Sequence, residues 1–245
     1  MHAEHEEAVS PGRRASSDLI TVQVLLDLKN SDPTALTAAE AIRSLLGFGD
    51  RLAEIRRRSL YELVLQAPNA GEGGAALPDL VSSYLERTVV FWNPNKQRAW
   101  VRLDSFGSPA ITWEVLSGAR RNPGDFGRPD LSLAGYDHLL VWPRGSREIP
   151  ADLVVALSGW HPAAAGHGEL WTLSWCEGAT TEERGAWTRA VGAARSRREG
   201  LLCNPHAQNH RVFSGAVPMP AWPGRDTEHG RKFETGKETE TGGAT

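Results

Sequence analysis

The stretch Val89–Leu103, "VVFWNPNKQRAWVRL", decides how this chain is read, because its plan returns at Leu201–Phe213 as "LLCNPHAQNHRVF". In each, an Asn-Pro pair (Asn93-Pro94, then Asn204-Pro205) stands between an apolar run and a strand-like alternation. Asparagine tolerates the left-handed conformation that ends a helix and proline cannot continue one, so the pair reads as punctuation between helix and strand. Beyond the first pair, Ala99, Val101 and Leu103 share one side of a strand, while Arg98, Trp100 and Arg102 share the other.

Outward from these two anchors the likeness extends. "YELVLQ" (61–66) precedes the first and "GELWTLSW" (168–175) the second; Glu62-Leu63 stands 31 positions before Asn93-Pro94, and Glu169-Leu170 stands 35 before Asn204-Pro205. The difference is about one helical turn. Further upstream, Ile20, Val22, Val24 and Leu26 alternate with Thr21, Gln23 and Asp27, the period of a half-buried strand. Asp32 and Pro33 then offer an N-cap and first turn for a helix carrying Ala38, Ala41, Ile42 and Leu45, with a stop at Gly47. The run Arg56, Arg57, Arg58 reads as the solvated start of a second strand, and Leu77, Leu80, Val81, Tyr84 and Leu85 as a second amphipathic helix. In the later half, "DHLLVW" (137–142) is a strand and Pro150, Leu153, Val154 and Leu157 fall at helical spacing. Thr180 and Glu183 form a capping box before a helix with Trp187, Ala190, Val191 and Ala194 on its apolar face.

The implied fold is α+β: two tandem strand-helix-strand-helix-strand units over 18–104 and 136–214, the second degenerate. A connector spans 105–135, a disordered tail 1–17, and residues 215–245 are extended and then disordered. Three strands with helices on one face leave the other sheet face bare, and a bare apolar face demands a cover. The expectation is that the two sheets pair as an intramolecular pseudo-dimer, the second half covering the open side of the first.

Composition narrows function without choosing it. The 245 residues are 40% hydrophobic and 23% charged with a formal net charge of -3, which gives no overall pull toward nucleic acid or anionic lipid. Two cysteines make no disulfide framework, and no early apolar run follows a basic flank, so the expectation is a cytoplasmic protein that does not span a membrane. The "GKET" of the last residues fails as a phosphate loop: Gly230 lies one position too far from Gly236, and Glu238 replaces the magnesium-binding hydroxyl.

Cys203, His206 and His210 are metal-capable, with Cys176 as a conceivable fourth ligand, but the first copy has Trp92, Asn95 and Ala99 in the same places. Three ligands without a fixed fourth do not make a structural zinc site, and no metal or other cofactor is expected. Arg98, Trp100 and Arg102 form a candidate interface; stacking of RNA bases there would need aromatics on two adjacent strands. The nine tryptophans read mainly as core and sheet-packing residues. Asp137, His138, His161 and His167 show no spacing of nucleophile, base and orienter, and no catalytic residues are assigned.

The first half, 18–104, resembles the small PurS subunit of phosphoribosylformylglycinamidine synthase. The resemblance rests on "VQVLLDLKNSDPTALTAAEAIRSLLGFG", "IRRRSLYELVLQ" and "LERTVVFWNPNKQRAWVRL" in that order; the second half carries only the later elements and lacks the Asp-Pro. What the resemblance implies is a non-catalytic scaffold in de novo purine biosynthesis that pairs through its sheet and bridges a large ATP-using amidine synthetase and a glutaminase. Family members are single-copy chains, so the tandem arrangement places both halves of the usual pair in one polypeptide. The rival readings are a regulatory module that binds a small metabolite between paired units and a PurS-derived interaction protein recruited to another assembly.

Overall fold

Apolar side chains on alternate positions make Leu19–Leu28 the strand β1, and every residue from Ile20 to Leu26 is buried. In the computed structural model the described residues are 19–66, 92–104, 114–115, 136–145, 160–193 and 200–222. After β1, Asp32 caps α1 (Pro33–Ser44) by accepting the Thr34 N–H at 2.9 Å, and Pro33 supplies the preset first turn. The small residues Ala35, Ala38 and Ala39, with Ile42, let this helix approach Leu52 and Ile55 at the start of β2 (Leu52–Gln66). The chain continues through β3 (Gln97–Asp104), β4 (Glu114–Val115), β5 (Tyr136–Pro143), β6 (His161–Trp175), α2 (Thr181–Gly192) and β7 (Gln208–Ser214). The helices expected over 77–85 and 150–157, the rest of the connector and both tails lie outside the described residues.

The seven strands of the described residues form one antiparallel sheet in the order β4-β3-β1-β2-β6-β5-β7. This is an α+β architecture, and its halves meet differently from the sequence-based expectation. They join edge to edge: β2 pairs with β6 from Leu52↔Trp175 to Gln66↔His161. Backbone hydrogen bonding along two long strands satisfies both inner edges at once, so the second half extends the sheet instead of covering its open side.

Helices α1 and α2 share one face, over a cluster that includes Leu139, Trp171, Leu173 and Val191. The opposite face, free of helix among the described residues, is covered by the chain segment that follows β7: Val217, Ala221 and Trp222 pack on Leu25, Leu60 and Trp100. That cover corrects the reading of β1 as half-buried. Thr21 and Gln23 are buried on this face, and the layer supplies Gln23 with a hydrogen-bond partner, the Pro218 carbonyl. The solvated reading of Arg58 is corrected too: its guanidinium is buried and reaches Asp27 on β1 and the Thr172 hydroxyl across the seam.

Cross-strand registers give the correspondence between halves. Leu25↔Leu60 and Leu140↔Leu170 are matching pairs, all four fully buried; Val24↔Tyr61 matches Leu139↔Trp171, and Val24↔Val101 matches Leu139↔Val212. Leu63 therefore corresponds to Leu173 and Glu62 to Thr172, so the Glu-Leu dipeptides that suggested the likeness are three positions out of register. An odd shift reverses the face of every side chain. Glu62 accordingly lies buried on the helix-free face, and Glu169 on the helix-bearing face. With the register corrected, Leu63 stands thirty positions before Asn93 and Leu173 thirty-one before Asn204, which removes the apparent extra turn.

The two Asn-Pro segments make one motif. Asn93 Oδ1 accepts the Asn95 N–H at 3.0 Å while Gln97 Oε1 accepts the Asn93 N–H at 2.7 Å; Asn204 Oδ1 accepts the His206 N–H at 3.0 Å while Gln208 Oε1 accepts the Asn204 N–H at 2.8 Å. Each asparagine carbonyl also receives the amide of the glutamine four residues on, at 2.8 Å in both. The motif is thus a side-chain-closed turn leading into β3 and β7, with Pro94 and Pro205 at its first corner. α2 stops at Gly192, short of the expected Ala194, because the next residue, Ala193, is extended and bridges to Cys203.

Candidate functional site: the groove at the seam

On the helix-bearing face the centre of the β2–β6 seam is polar. Ser59 lies opposite Glu169, and the correspondence between halves maps each onto the other, so the approximate two-fold relation passes through this pair. Flanking it, Arg57 faces Trp171 and Tyr61 faces His167. Ser59, Glu169 and Arg57 line a cleft of about 270 Å³ together with Leu26, Leu28, Asp32, Arg58 and Gln97.

The local fold fixes each group. Asp32 is held at the start of α1 by its capping bond and receives Arg57 Nε at 2.7 Å and Nη2 at 3.3 Å; Arg57 Nη1 reaches Glu169 Oε1 at 2.9 Å. The guanidinium also lies 5.8 Å from the Trp171 ring centroid. Burial alone would raise the Asp32 carboxyl, but the bonds from Arg57 and the Thr34 amide overcome it and hold the carboxyl below its ordinary value. For Arg57 burial works downward, and the two carboxylates outweigh it, so the cation is held more firmly than usual. Tyr61 and His167 stack with centroids 4.2 Å apart; desolvation raises the tyrosine and lowers the histidine, the latter opposed by Glu169. The groove thus presents one cation bound to two anions, and the neutral aromatic pair lies next to them along the seam. Such a set can exchange ion pairs with a ligand carrying both signs, or with the charged rim of a protein partner.

A second cleft of about 370 Å³ shares Asp32 and Arg57 and runs past α1 to Arg56 and Arg98. Arg98 is therefore beside an open surface, opposite Asp27 in the β1–β3 pairing. Trp100 and Arg102, expected with it as an exposed interface, are instead buried on the helix-free face under the segment after β7. Cys203 is buried with its Sγ 3.8 Å from His210 Nδ1, and burial pushes its thiol up, away from the thiolate that ligates metals. His206 is exposed on the Asn204 turn, and among the described residues no group of three metal-capable side chains converges.

Sequence reasoning takes Arg57 for a solvated strand start, sets His167 aside for want of a catalytic spacing, and counts Tyr61 only as part of a strand. Their signal was a polar or aromatic residue at every second position of an otherwise buried face, which becomes visible only once the pairing partner is known. The buried polar pairs Gln23↔Glu62 and His138↔Thr172, which occupy matching places in the two halves, were missed for the same reason. No family model, curated protein or solved structure matches this chain.

Proposed function

We propose that this chain is a tandem PurS-like scaffold: a non-catalytic subunit of a multisubunit phosphoribosylformylglycinamidine synthase, bridging the synthetase and the glutaminase. The observation that carries the proposal is the strand order, in which β3-β1-β2 on one side of the seam is answered by β6-β5-β7 on the other. A subunit that works as a pair joined through its sheet gives this order when two copies are linked in one chain. The matching Asn-Pro turns and cross-strand pairs support the same reading. Polar groups in the seam groove are engaged with one another, which suits a docking surface with a charged rim more than a reaction centre.

Affinity purification from the native cell is the test. Recovery of an ATP-using amidine synthetase with a glutaminase, together with purine dependence of a strain lacking the gene, is the expected result. Recovery of neither enzyme together with growth without purine overturns it. The cleft of about 270 Å³ at the seam favours, second, a regulatory module for a small zwitterionic metabolite; that reading requires the isolated protein to bind such a ligand and Arg57→Leu to abolish binding.

A further inference from the structure

The segment after β7 lies on the helix-free face in a manner that ordinary core packing does not require. Gly215, with φ of +81°, turns the chain back at the end of the strand, and residues 217–222, "VPMPAW", cross the sheet without joining its ladder. Three polar side chains, each more than nine-tenths buried, are directed at its backbone. Arg102 Nη2 donates to the Val217 and Pro218 carbonyls at 2.8 and 3.1 Å; Gln23 Nε2 donates to the Pro218 carbonyl at 3.2 Å; the Glu62 carboxylate accepts the Ala221 N–H at 2.6 Å. Arg211 Nη1 donates to the Ala221 carbonyl at 3.0 Å. Gln23 ties the set together, donating to Glu62 and accepting from Arg102 Nε.

Contacts of this kind recognise the presence of an extended backbone and are indifferent to most of its side chains. Pro218 and Pro220 have no N–H, so a segment containing them crosses an apolar surface with two fewer donors to satisfy. Side-chain selection is concentrated at the end. The Trp222 indole fits over Gly166, where a Cβ would stand 2.6 Å from the ring, and packs edge-on to Trp142 with centroids 6.2 Å apart.

We propose that this face is a peptide-binding site for an extended, proline-containing segment of a partner protein ending in an aromatic anchor, and that residues 217–222 fill it in cis. The built features are the buried Gln23, Glu62 and Arg102 directed at the backbone, the glycine-floored indole seat, and the turn at Gly215 where the cis segment leaves the sheet. The site is independent of the seam groove and of the scaffold reading.

The test uses the full chain carrying Trp222→Ala, which weakens the cis segment, and a fluorescent peptide of residues 215–223. Saturable binding is expected, at least about ten-fold tighter than to the wild-type chain, where the tethered segment competes at an effective concentration of order millimolar. A peptide with alanine in place of its tryptophan should lose that binding, and adding Gly166→Val to the Trp222→Ala chain should abolish it with the circular dichroism of the sheet retained. Equal binding to wild type and variant, or no saturable binding to a folded variant, overturns the proposal. Should Trp222→Ala fail to fold, a protease site placed between Gly215 and Ala216 is cut in the folded wild type: exchange of the freed segment for labelled peptide upholds the site, and failure to exchange rejects it.

Discussion

His138 shows what a single buried side chain contributes. It sits fully buried on β5, with Nδ1 3.1 Å from the Thr172 hydroxyl, and burial together with the nearby Arg58 cation lowers its pKa from 6.5 to about 4. Because the folded value is depressed, the unfolded chain takes up the proton first as the pH falls. Stability is therefore full above pH 6.5, declines from there to about 4, and levels off below, a loss of order 3 kcal/mol. Urea midpoints between pH 7 and 4 should show this decline in the wild type and a much smaller one in His138→Gln. Burial raises the carboxyl of Glu62, so its protonation on acidification acts in the opposite direction in both proteins and does not obscure the difference. At Gly168 a Cβ would stand 2.6 Å from the Val141 carbonyl oxygen, which belongs to the paired strand and cannot rotate aside. Gly168→Ala should cost about 1–3 kcal/mol, read as a lower melting temperature.

At the scale of the element, the two helix starts are a matched experiment. Thr180 and Glu183 close a capping box on α2, with Glu183 N–H donating to the Thr180 hydroxyl at 3.2 Å and the Glu183 carboxylate accepting the Thr180 N–H at 2.9 Å. Thr180→Ala should cost about 1 kcal/mol in chemical denaturation. Asp32 has two duties, cap and partner of Arg57; Asp32→Asn keeps the first and removes most of the second. It should leave the helix in place and abolish the rise in stability seen as the wild-type carboxylate ionises. Both caps were legible in the sequence because capping is local: the residues that satisfy the first amides lie within four positions. Strand positions were legible from alternation, and all but the two-residue β4 were located, although β6 runs back to His161, seven residues earlier than "GELWTLSW" suggested. What the sequence hid was non-local. Thr21 and Gln23 look like a solvent face until the segment almost 200 residues later is laid over them, and Glu62-Leu63 matches Glu169-Leu170 as letters while facing the opposite way in the sheet.

For the whole molecule, the seam is the structural joint. Fourteen residues of β2 are paired with β6, more than the eight that β2 shares with β1. A chain opened by a protease site in the connector 105–135 should therefore elute as one particle in gel filtration at micromolar concentration, its two fragments separating only in denaturant. Separate elution of folded fragments would show that the edge pairing depends on the link. The seam also shows how far the two halves differ. Two identical subunits joined about an axis must display every surface twice, and a partner that docks on one copy docks on the other. In this chain the place of Arg57 is taken in the other half by His167, and that of Ser59 by Glu169. The two sides of the seam are thereby chemically distinct, so a molecule that recognises the groups on the left meets a different set on the right.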